Sequence, residues 1–489
     1  MKVLIAVLAL QLFAGEPNLA DAAKQQDHAT LAKLLGQKAD PNASQIDGTT
    51  ALHWAAQNDD LQAAQLLVRA GANVQAANRY GVTPLSLACT NGSSPMVALL
   101  LEAGADPNTK LPGGETALMT AARTGQLEPV KALLARGAVV DAKETQQGQT
   151  ALMWAAAEGH VKVVEALIAA KADIHVRLAS GFTPFLFAAR EGRIGVVRAL
   201  LKAGANVNET IQIAPTPAPR PTRMPRTGVS ALVLAVTNAH YELASILLDA
   251  GADPNAADAG YTALHAISAV RKPGVGDNDP APDGSGNMSS ADFVRKIARK
   301  DANLNARMTK RVPFGMTAIN VLGATPFFLA ARGGDAELMR LLASLGADPN
   351  LTNAEGTTPL IAAAGLGTRS PGEDSGTESE VLEAVQAALD LGADINAVNN
   401  NGETAMHGAA YKNLPAVVEL LAAKGAKIEL WNKKNKFGWT PLLIAQGFRP
   451  GNFKPSPTTI TAFQKVMFAA GVTPPPAPSV GAKANSEYH

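Results

Sequence analysis

The side chains best suited to nucleophilic, acid–base or metal chemistry are thinly spread in this sequence: eight histidines and one cysteine, Cys89, in 489 residues. A single cysteine excludes an intramolecular disulfide, disulfide-based redox cycling and an all-cysteine metal site. Catalysis requires a nucleophile, acid or metal held against a partner group in a sheltered pocket. The sequence offers no His-Glu-x-x-His, no Gly-x-Ser-x-Gly, no phosphate loop and no Gly-x-Gly-x-x-Gly, and Gly365-Leu366-Gly367 has only the composition of a loop. His160, His175 and His240 are too far apart along the chain to converge on one ion. Asp106, Asp253 and Asp348 sit in Gly-Ala-Asp-Pro-Asn strings, where a short carboxylate bonds nearby backbone amides; their oxygens are not clustered as calcium would require. No catalytic residue, no cofactor and no metal site is expected.

What the sequence does repeat is a scaffold. A threonine or serine followed by a small residue or proline and then an apolar residue recurs at Thr50, Thr83, Thr116, Thr150, Thr183, Ser230, Thr262, Thr325, Thr358, Thr404 and Thr440, with early steps of 33, 33, 34 and 33 residues. A Gly-Ala pair follows at a constant distance: Gly71, Gly104, Gly137, Gly204, Gly346 and Gly425 each lie 21 positions after their threonine. Each unit reads as a helix starting at the Thr-Pro or Thr-Ala step, a turn near a glycine such as Gly125, Gly159 or Gly192, and a second helix ending at the Gly-Ala. Threonine supplies an N-capping oxygen, proline at the first helical position wastes no amide, and glycine can adopt the left-handed conformation that closes a helix. Paired alanines such as Ala55-Ala56, Ala121-Ala122 and Ala188-Ala189 let first helices approach closely. Val163-Val164 with Leu167-Ile168, and Val196-Val197 with Leu200-Leu201, have the spacing of a buried face on the second.

Through TALHWAA at 50–56, TALMWAAAEGHVKVVEALI at 150–168, GADPN at 104–108, 251–255 and 346–350, and TAMHGAA at 404–410, residues 17–471 resemble the ankyrin-repeat family. The resemblance implies an all-α solenoid of about eleven helix-turn-helix units plus terminal caps, joined by short finger turns or β-hairpins, with a concave binding side. It also implies that His53, His265 and His407 hydrogen-bond within and between repeats. The departures are Lys171 and Asp301 in place of the capping glycine, and Ser86, Met119, Met153 and Leu186 in place of the family histidine.

Composition agrees with closely packed helices. Hydrophobic residues make up 47% of the chain but aromatics only 4%, so the core is mainly Ala, Leu and Val, which argues against a large aromatic-walled cavity. With 43 Lys plus Arg against 42 Asp plus Glu, the formal charge is +1, and the molecule as a whole makes no field that would gather nucleic acid or anionic lipid. The basic start and apolar run over residues 3–14 resemble a secretory signal, since about twelve apolar residues fall short of the roughly 20 a bilayer span needs. The expected organisation is therefore a signal peptide at 1–15, a degenerate capping repeat at 16–46, repeats one to five at 47–208, a Pro- and Arg-rich finger insertion at 209–226, repeats six to eleven with a C-terminal cap at 227–471, and a disordered tail at 472–489. Further insertions fall at 272–290, 307–322 and 366–379. The insertions at 209–226 and 307–322 are placed on the finger side, and the other two at the opposite end of the units. The protein is expected to be exported, periplasmic or secreted, or membrane-tethered if the leader stays uncleaved, and to be a monomer.

Family members bind through fingertips and the exposed end of the first helix. Here those positions hold Arg79, Tyr80, Arg123, Phe182, Arg190, Tyr261, Arg271, Arg332, Tyr411, Lys412, Phe437 and Trp439, rich in the aromatic and arginine types of interface hot spots. Trp54 and Trp154, inside the alanine helices, read as packing residues. The expected function is a non-catalytic scaffold for a protein partner. The alternatives are nucleic-acid or membrane-surface binding through Arg220, Arg223, Arg226, Arg307, Lys310 and Arg311, and an enzyme with its chemistry in the inserted loops. The basic clusters lack interleaved aromatics for base stacking, and the loops lack His and Cys.

Overall fold

The computed structural model describes residues 18–213, 227–273, 282–312, 318–372, 374–449 and 454–476. The expected signal peptide, Arg220, Arg223, Arg226 and most of the expected tail lie outside these residues. The described residues form 25 helices, with isolated antiparallel bridges at Ser44 and Thr50, Lys110 and Thr116, and Thr210 and Ser230 as the only strand pairing among them. The chain divides into two compact units, Met1–Asn206 and Val207–His489.

The first unit contains six helix pairs: α1 (Leu19–Lys24) with α2 (His28–Gly36), α3 (Ala51–Gln57) with α4 (Leu61–Arg69), α5 (Pro84–Asn91) with α6 (Ser94–Glu102), α7 (Ala117–Thr124) with α8 (Leu127–Ala135), α9 (Ala151–Glu158) with α10 (Val161–Ala169), and α11 (Pro184–Arg190) with α12 (Ile194–Lys202). Each first helix packs on the next first helix and each second helix on the next second helix. The second unit repeats the scheme with α13 (Ala231–Thr237) and α14 (Tyr241–Asp249), α15 (Ala263–Arg271) and α16 (Ser290–Ala298), α17 (Pro326–Arg332) and α18 (Ala336–Ser344), α19 (Pro359–Ala363) and α20 (Glu378–Asp390), and α21 (Ala405–Lys412) and α22 (Pro415–Ala423). A single turn, α23 (Ile428–Trp431), precedes the last pair, α24 (Pro441–Ala445) and α25 (Pro457–Ala469).

Local chemistry accounts for these boundaries. Thr83, Thr116, Thr150 and Thr183 each accept the amide of the residue three positions on, as N-caps. Second helices end in a left-handed residue because only that conformation turns the chain back toward the next finger. Gly71, Gly104 and Gly137 provide it with open space where a Cβ would be, so glycine is favoured there for its backbone and not for room. Lys171 at φ 69° and Asp301 at φ 59° adopt the same conformation against the preference of a side-chain-bearing residue. Within each unit the apolar faces close on each other: Ala51, Leu52, Ala55, Ala56 and Leu67 are 0% exposed. Burying a leucine such as Leu67 stabilises by about 2 kcal/mol, and only a neighbouring repeat can supply that burial.

Polar side chains fix the spacing between repeats. Asp106 accepts the amide of Asn108 at 2.9 Å, holding the turn as expected. The asparagine then reaches the next repeat: Asn108 accepts the Val139 amide at 2.8 Å and donates to the Gly137 carbonyl at 3.1 Å. Asn42 does the same toward Asn73 and Gly71, and Asn255 toward Asn303 and Asp301. Fingers are also joined through backbone, from Arg79 to Asp47 at 2.9 Å and from Thr145 to Gly113 at 2.9 Å.

In one respect the insertions differ from expectation. Residues 307–322 do not stay on the finger side: the Ala318 amide donates to the Gly367 carbonyl at 2.8 Å, so this insertion meets the one at 366–379. The latter also binds the insertion that begins at Lys272, because the Ser375 hydroxyl donates to the Lys272 carbonyl at 2.9 Å. Together they cover first-helix positions of the second unit that remain open in the first.

Candidate partner-binding surface

The exposed face of the first unit is built finger by finger. Asn78 closes its finger by accepting the amides of Tyr80 at 3.0 Å and Val82 at 3.1 Å, which puts Arg79 and Tyr80 at the tip. Tyr80 is 55% exposed, Arg79 donates to its hydroxyl at 2.6 Å, and the guanidinium lies 4.9 Å from the ring centre. At the end of α7, Arg123 stacks 4.9 Å over the Trp154 ring of the next first helix, with Glu115 3.7 Å away. Trp154 is held in plane by its indole N–H, which donates to Gln149 at 3.0 Å. At the end of α11, Arg190 lies 5.1 Å from Phe182 and 5.0 Å from Phe187 and pairs with Glu191 at 2.6 Å. Trp54 repeats the pattern under Lys24 at 4.8 Å. Each stacked cation adds about 0.5–1 kcal/mol at an exposed site and arrives already ordered.

The remaining predicted positions are placed differently. Phe182, 5% exposed, is buried against Phe187. Tyr261 is 3% exposed, because Lys310 and Thr309 of the 307–322 insertion lie over the adjoining Gly260, and burial pushes its hydroxyl up to about 12. Tyr411 and Lys412 are buried where the 366–379 insertion and Arg449 close over them: Lys412 donates to the Ser375 carbonyl and Arg449 to that of Tyr411. Burial lowers Lys412 to about 8, with Arg332 acting in the same direction and Asp374 and Glu380 opposing it. Arg332 is half-buried beside it. Trp439 is buried behind Phe437, the two rings stacked at 5.3 Å, with Phe437 partly exposed at the tip under Lys436. Arg271 is on the turn side, 2.6 Å from Asp335, and takes no part in the finger face. The reading of these residues as displayed side chains therefore changes for Tyr261, Tyr411 and Lys412, which residues distant in sequence cover, and for Phe182 and Trp439, which pack on the nearby rings of Phe187 and Phe437. The platforms for the arginines are Trp154, which the sequence reading took as a packing residue, and Phe187, which it did not single out. The available signal was an aromatic four positions after the threonine, beside an arginine seven positions after one.

The histidines of the threonine caps bond within and between repeats. His53 accepts the Thr50 amide on Nδ1 at 3.2 Å, so Nε2 carries the proton and donates to the Val82 carbonyl of the next finger at 3.0 Å. His265 repeats this with Thr262 at 3.1 Å and Ala324 at 3.1 Å. His407 accepts from Thr404 at 3.2 Å. Burial lowers His53 and takes His265 and His407 to about 4. Ser86 and Met119 stand in for the histidine by accepting the same threonine amide, at 3.0 and 3.4 Å. His28 lies 2.6 Å from Asp60, but that carboxylate already caps α4 through Ala63. Cys89 is fully buried and its thiol is pushed up to about 12, which removes its thiolate. Among the described residues no group of His, Cys, Asp and Glu is placed to hold a metal ion, and no helix is long and apolar enough to cross a membrane. Arg307 donates to the Thr352 carbonyl at 2.8 Å and Lys310 to that of Asp258 at 2.5 Å, so these cations brace fingers.

Comparison with known proteins gives matches to a family model described as ankyrin repeats (3 copies) over residues 19–111, 108–178, 176–258 and 377–452, and to a single ankyrin repeat over 322–354. Between these segments, the unmatched stretch 259–321 contains the insertion at 272–290 and nearly all of that at 307–322, and the unmatched stretch 355–376 contains most of that at 366–379. One curated relative, the B-cell lymphoma 3 protein homolog of Mus musculus, is 32% identical over 222 residues, 45% of this chain and 40% of that protein. The chain thus spans less than half the length of that relative.

Proposed function

We propose that this chain, which belongs to the ankyrin-repeat family, is a non-catalytic scaffold that grips a partner protein on the fingers and first helices of its first unit. Repeats of this family generally mediate protein–protein interaction. The observation that carries the assignment to this face is the set of exposed cations stacked on aromatic rings at Tyr80, at Arg123 over Trp154 and at Arg190 over Phe187. Side chains ordered before binding lose little entropy when a partner arrives, and these residue types carry most interface energy.

The test is the combined variant Tyr80→Ala, Arg123→Ala and Arg190→Ala, measured against a partner first identified by crosslinking and then purified. Affinity should fall at least about 100-fold, a loss of roughly 1 kcal/mol per side chain, with helical content unchanged. Undiminished capture would refute the placement. Tyr261 is left out of the set because it is buried, and its loss would report on packing. The apolar run at residues 3–14 supports export, with release after cleavage near Ala14 or Gly15. Sequencing the mature N-terminus tests this, since a chain that begins at Met1 would have kept its leader.

A further inference from the structure

We propose a second interaction surface, on the last finger of the C-terminal unit: a fixed patch of lysines that receives an acidic segment of a polypeptide. Residues 424–440 carry Lys424, Lys427, Lys433, Lys434 and Lys436 against one acid, Glu429, while the whole chain has a formal charge of only +1. All five lysines are exposed. Their concentration goes with a departure from the repeat: Gly425 precedes Thr440 by 15 residues, where Gly71 precedes Thr83 by 12, and the longer connection holds α23.

The first observation is charge without pairing. Elsewhere in the unit cations meet carboxylates of neighbouring repeats: Lys296 and Lys300 pair with Asp249, Arg340 with Glu383, and Lys465 with Glu419. None of the five lysines is in an ion pair among the described residues. Like charges gathered without counter-charges repel one another and cost the fold stability, and an anionic partner relieves that repulsion.

The second observation is a fixed frame beneath the charges. Trp431 is 1% exposed and packs 5.8 Å from Phe463, which ties α23 to α25, and the Lys427 amide donates to Asn396 at 2.8 Å. Asn435 accepts the amides of Phe437 at 3.0 Å and Trp439 at 3.1 Å and donates to Glu403 at 3.1 Å. The Lys436 amide donates to the Asn401 carbonyl of the preceding finger at 2.8 Å. The backbone that carries Lys433, Lys434 and Lys436 is thus ordered before a partner arrives, and less entropy is lost on binding. Phe437, 38% exposed at the tip, offers an apolar contact beside them. Two features select a polypeptide among anionic partners. The Phe437 ring already lies 5.3 Å from Trp439 and 5.0 Å from the Lys436 ammonium, so it is not a bare platform for a nucleobase. The patch is also confined to one repeat: Asp394, at the position of Lys427 one repeat earlier, and Asp390 just before it are exposed acids. A nucleic acid or an anionic bilayer, whose charge extends well beyond the patch, would meet them as repulsion, whereas a short acidic segment fits within it.

The experiment uses the full chain. A fluorescent peptide of alternating glutamate and glycine with one central leucine is titrated by anisotropy, and a matched peptide with glutamine at the acidic positions serves as control. An oligothymidylate of equal charge and vesicles containing phosphatidylserine are titrated in parallel. The acidic peptide should bind saturably and more tightly than either, and Lys433→Gln, Lys434→Gln and Lys436→Gln together should weaken it by about tenfold or more, with helical content preserved. Lys433→Gln with Lys434→Gln alone, which leaves Lys436 on its ring, should weaken it by about threefold, so the test survives if the triple variant folds poorly. Removing the same charge from the first unit, by Lys33→Gln, Lys110→Gln and Lys143→Gln, should leave binding unchanged, which separates a local site from net charge. The Tyr80, Arg123 and Arg190 variant should also bind the acidic peptide normally, so failure of the first-unit surface and failure of this one are distinguishable. Equal binding of the glutamine peptide, equal loss in the first-unit lysine variant, tighter binding of the oligothymidylate or the vesicles, or no saturable binding of the acidic peptide at millimolar concentration would overturn the proposal.

Discussion

Lowering the pH from 7.5 to 5 should destabilise the C-terminal unit through two buried histidines. His265 and His407 are 0% exposed, and burial holds both at about 4, against 6.5 in the unfolded chain. A base whose pKa is depressed by folding stabilises the native state fully above 6.5, and that stability drains away as pH falls toward 4, because the unfolded chain takes up protons that the native chain refuses. At pH 5 each site has lost about 2 kcal/mol, or about 4 kcal/mol for the pair, whose positions in separate repeats make the terms additive. Locally, protonating Nδ1 would remove the acceptor of the Thr262 or Thr404 amide. Glu403, raised by burial, has the opposite sign, losing stability only as pH rises above the usual carboxylate range, and so cannot mimic the effect. The control comes from the chain itself, which places Met119 at the equivalent position with its sulfur accepting the Thr116 amide at 3.4 Å. Urea unfolding followed by circular dichroism at pH 7.5 and pH 5 should show a large fall in midpoint for the wild type and a much smaller one for the double variant His265→Met and His407→Met. Parallel falls in the two proteins, or a wild type indifferent to pH over this range, would refute the reasoning.

Two further predictions concern the repeat framework. Lys171→Gly and Asp301→Gly should each stabilise by about 1 kcal/mol in the same urea assay, because both residues occupy the left-handed conformation that glycine takes without strain; a loss of stability would show that their side chains contribute something the structure does not reveal. Asn108→Ala removes two hydrogen bonds to the following repeat and should cost about 1–2 kcal/mol, with faster amide exchange at Val139 than at amides of the first repeats; uniform exchange would sink the view that these asparagines join neighbouring repeats.

The scaffold was legible in the sequence because its signals are local and repeated. A threonine cap, an alanine pair and a Gly-Ala close act within one unit, and eleven recurrences make the register unmistakable. Thr83 caps α5 and Gly104 turns the chain after α6 where the spacing placed them. The histidine role followed from the same register and the family resemblance. Less legible was the asparagine that follows Asp106, since its partners at Gly137 and Val139 are chosen by the stacking distance between repeats and not by anything next to it.

The candidate surface divides along the same line. Arg79, Tyr80, Arg123 and Arg190 could be named from sequence as interface types at fingertip and helix-end positions, but not as stacked pairs, because Trp154 approaches Arg123 only when consecutive first helices are in contact. Tyr261, Tyr411 and Lys412 occupy comparable positions and are buried, since exposure depends on what else is folded over a site: here, insertions beginning tens of residues away. The ion pairs go further still, joining Arg271 to Asp335 and Glu337, and Lys272 to Glu380, across repeats with no motif linking them. Sequence alone determined the helix pairs, their caps and their period, because those rest on interactions within about 34 residues. Which side chains face water, and which charges pair across repeats, was decided only by tertiary structure, because burial belongs to the neighbours of a residue and not to the residue itself.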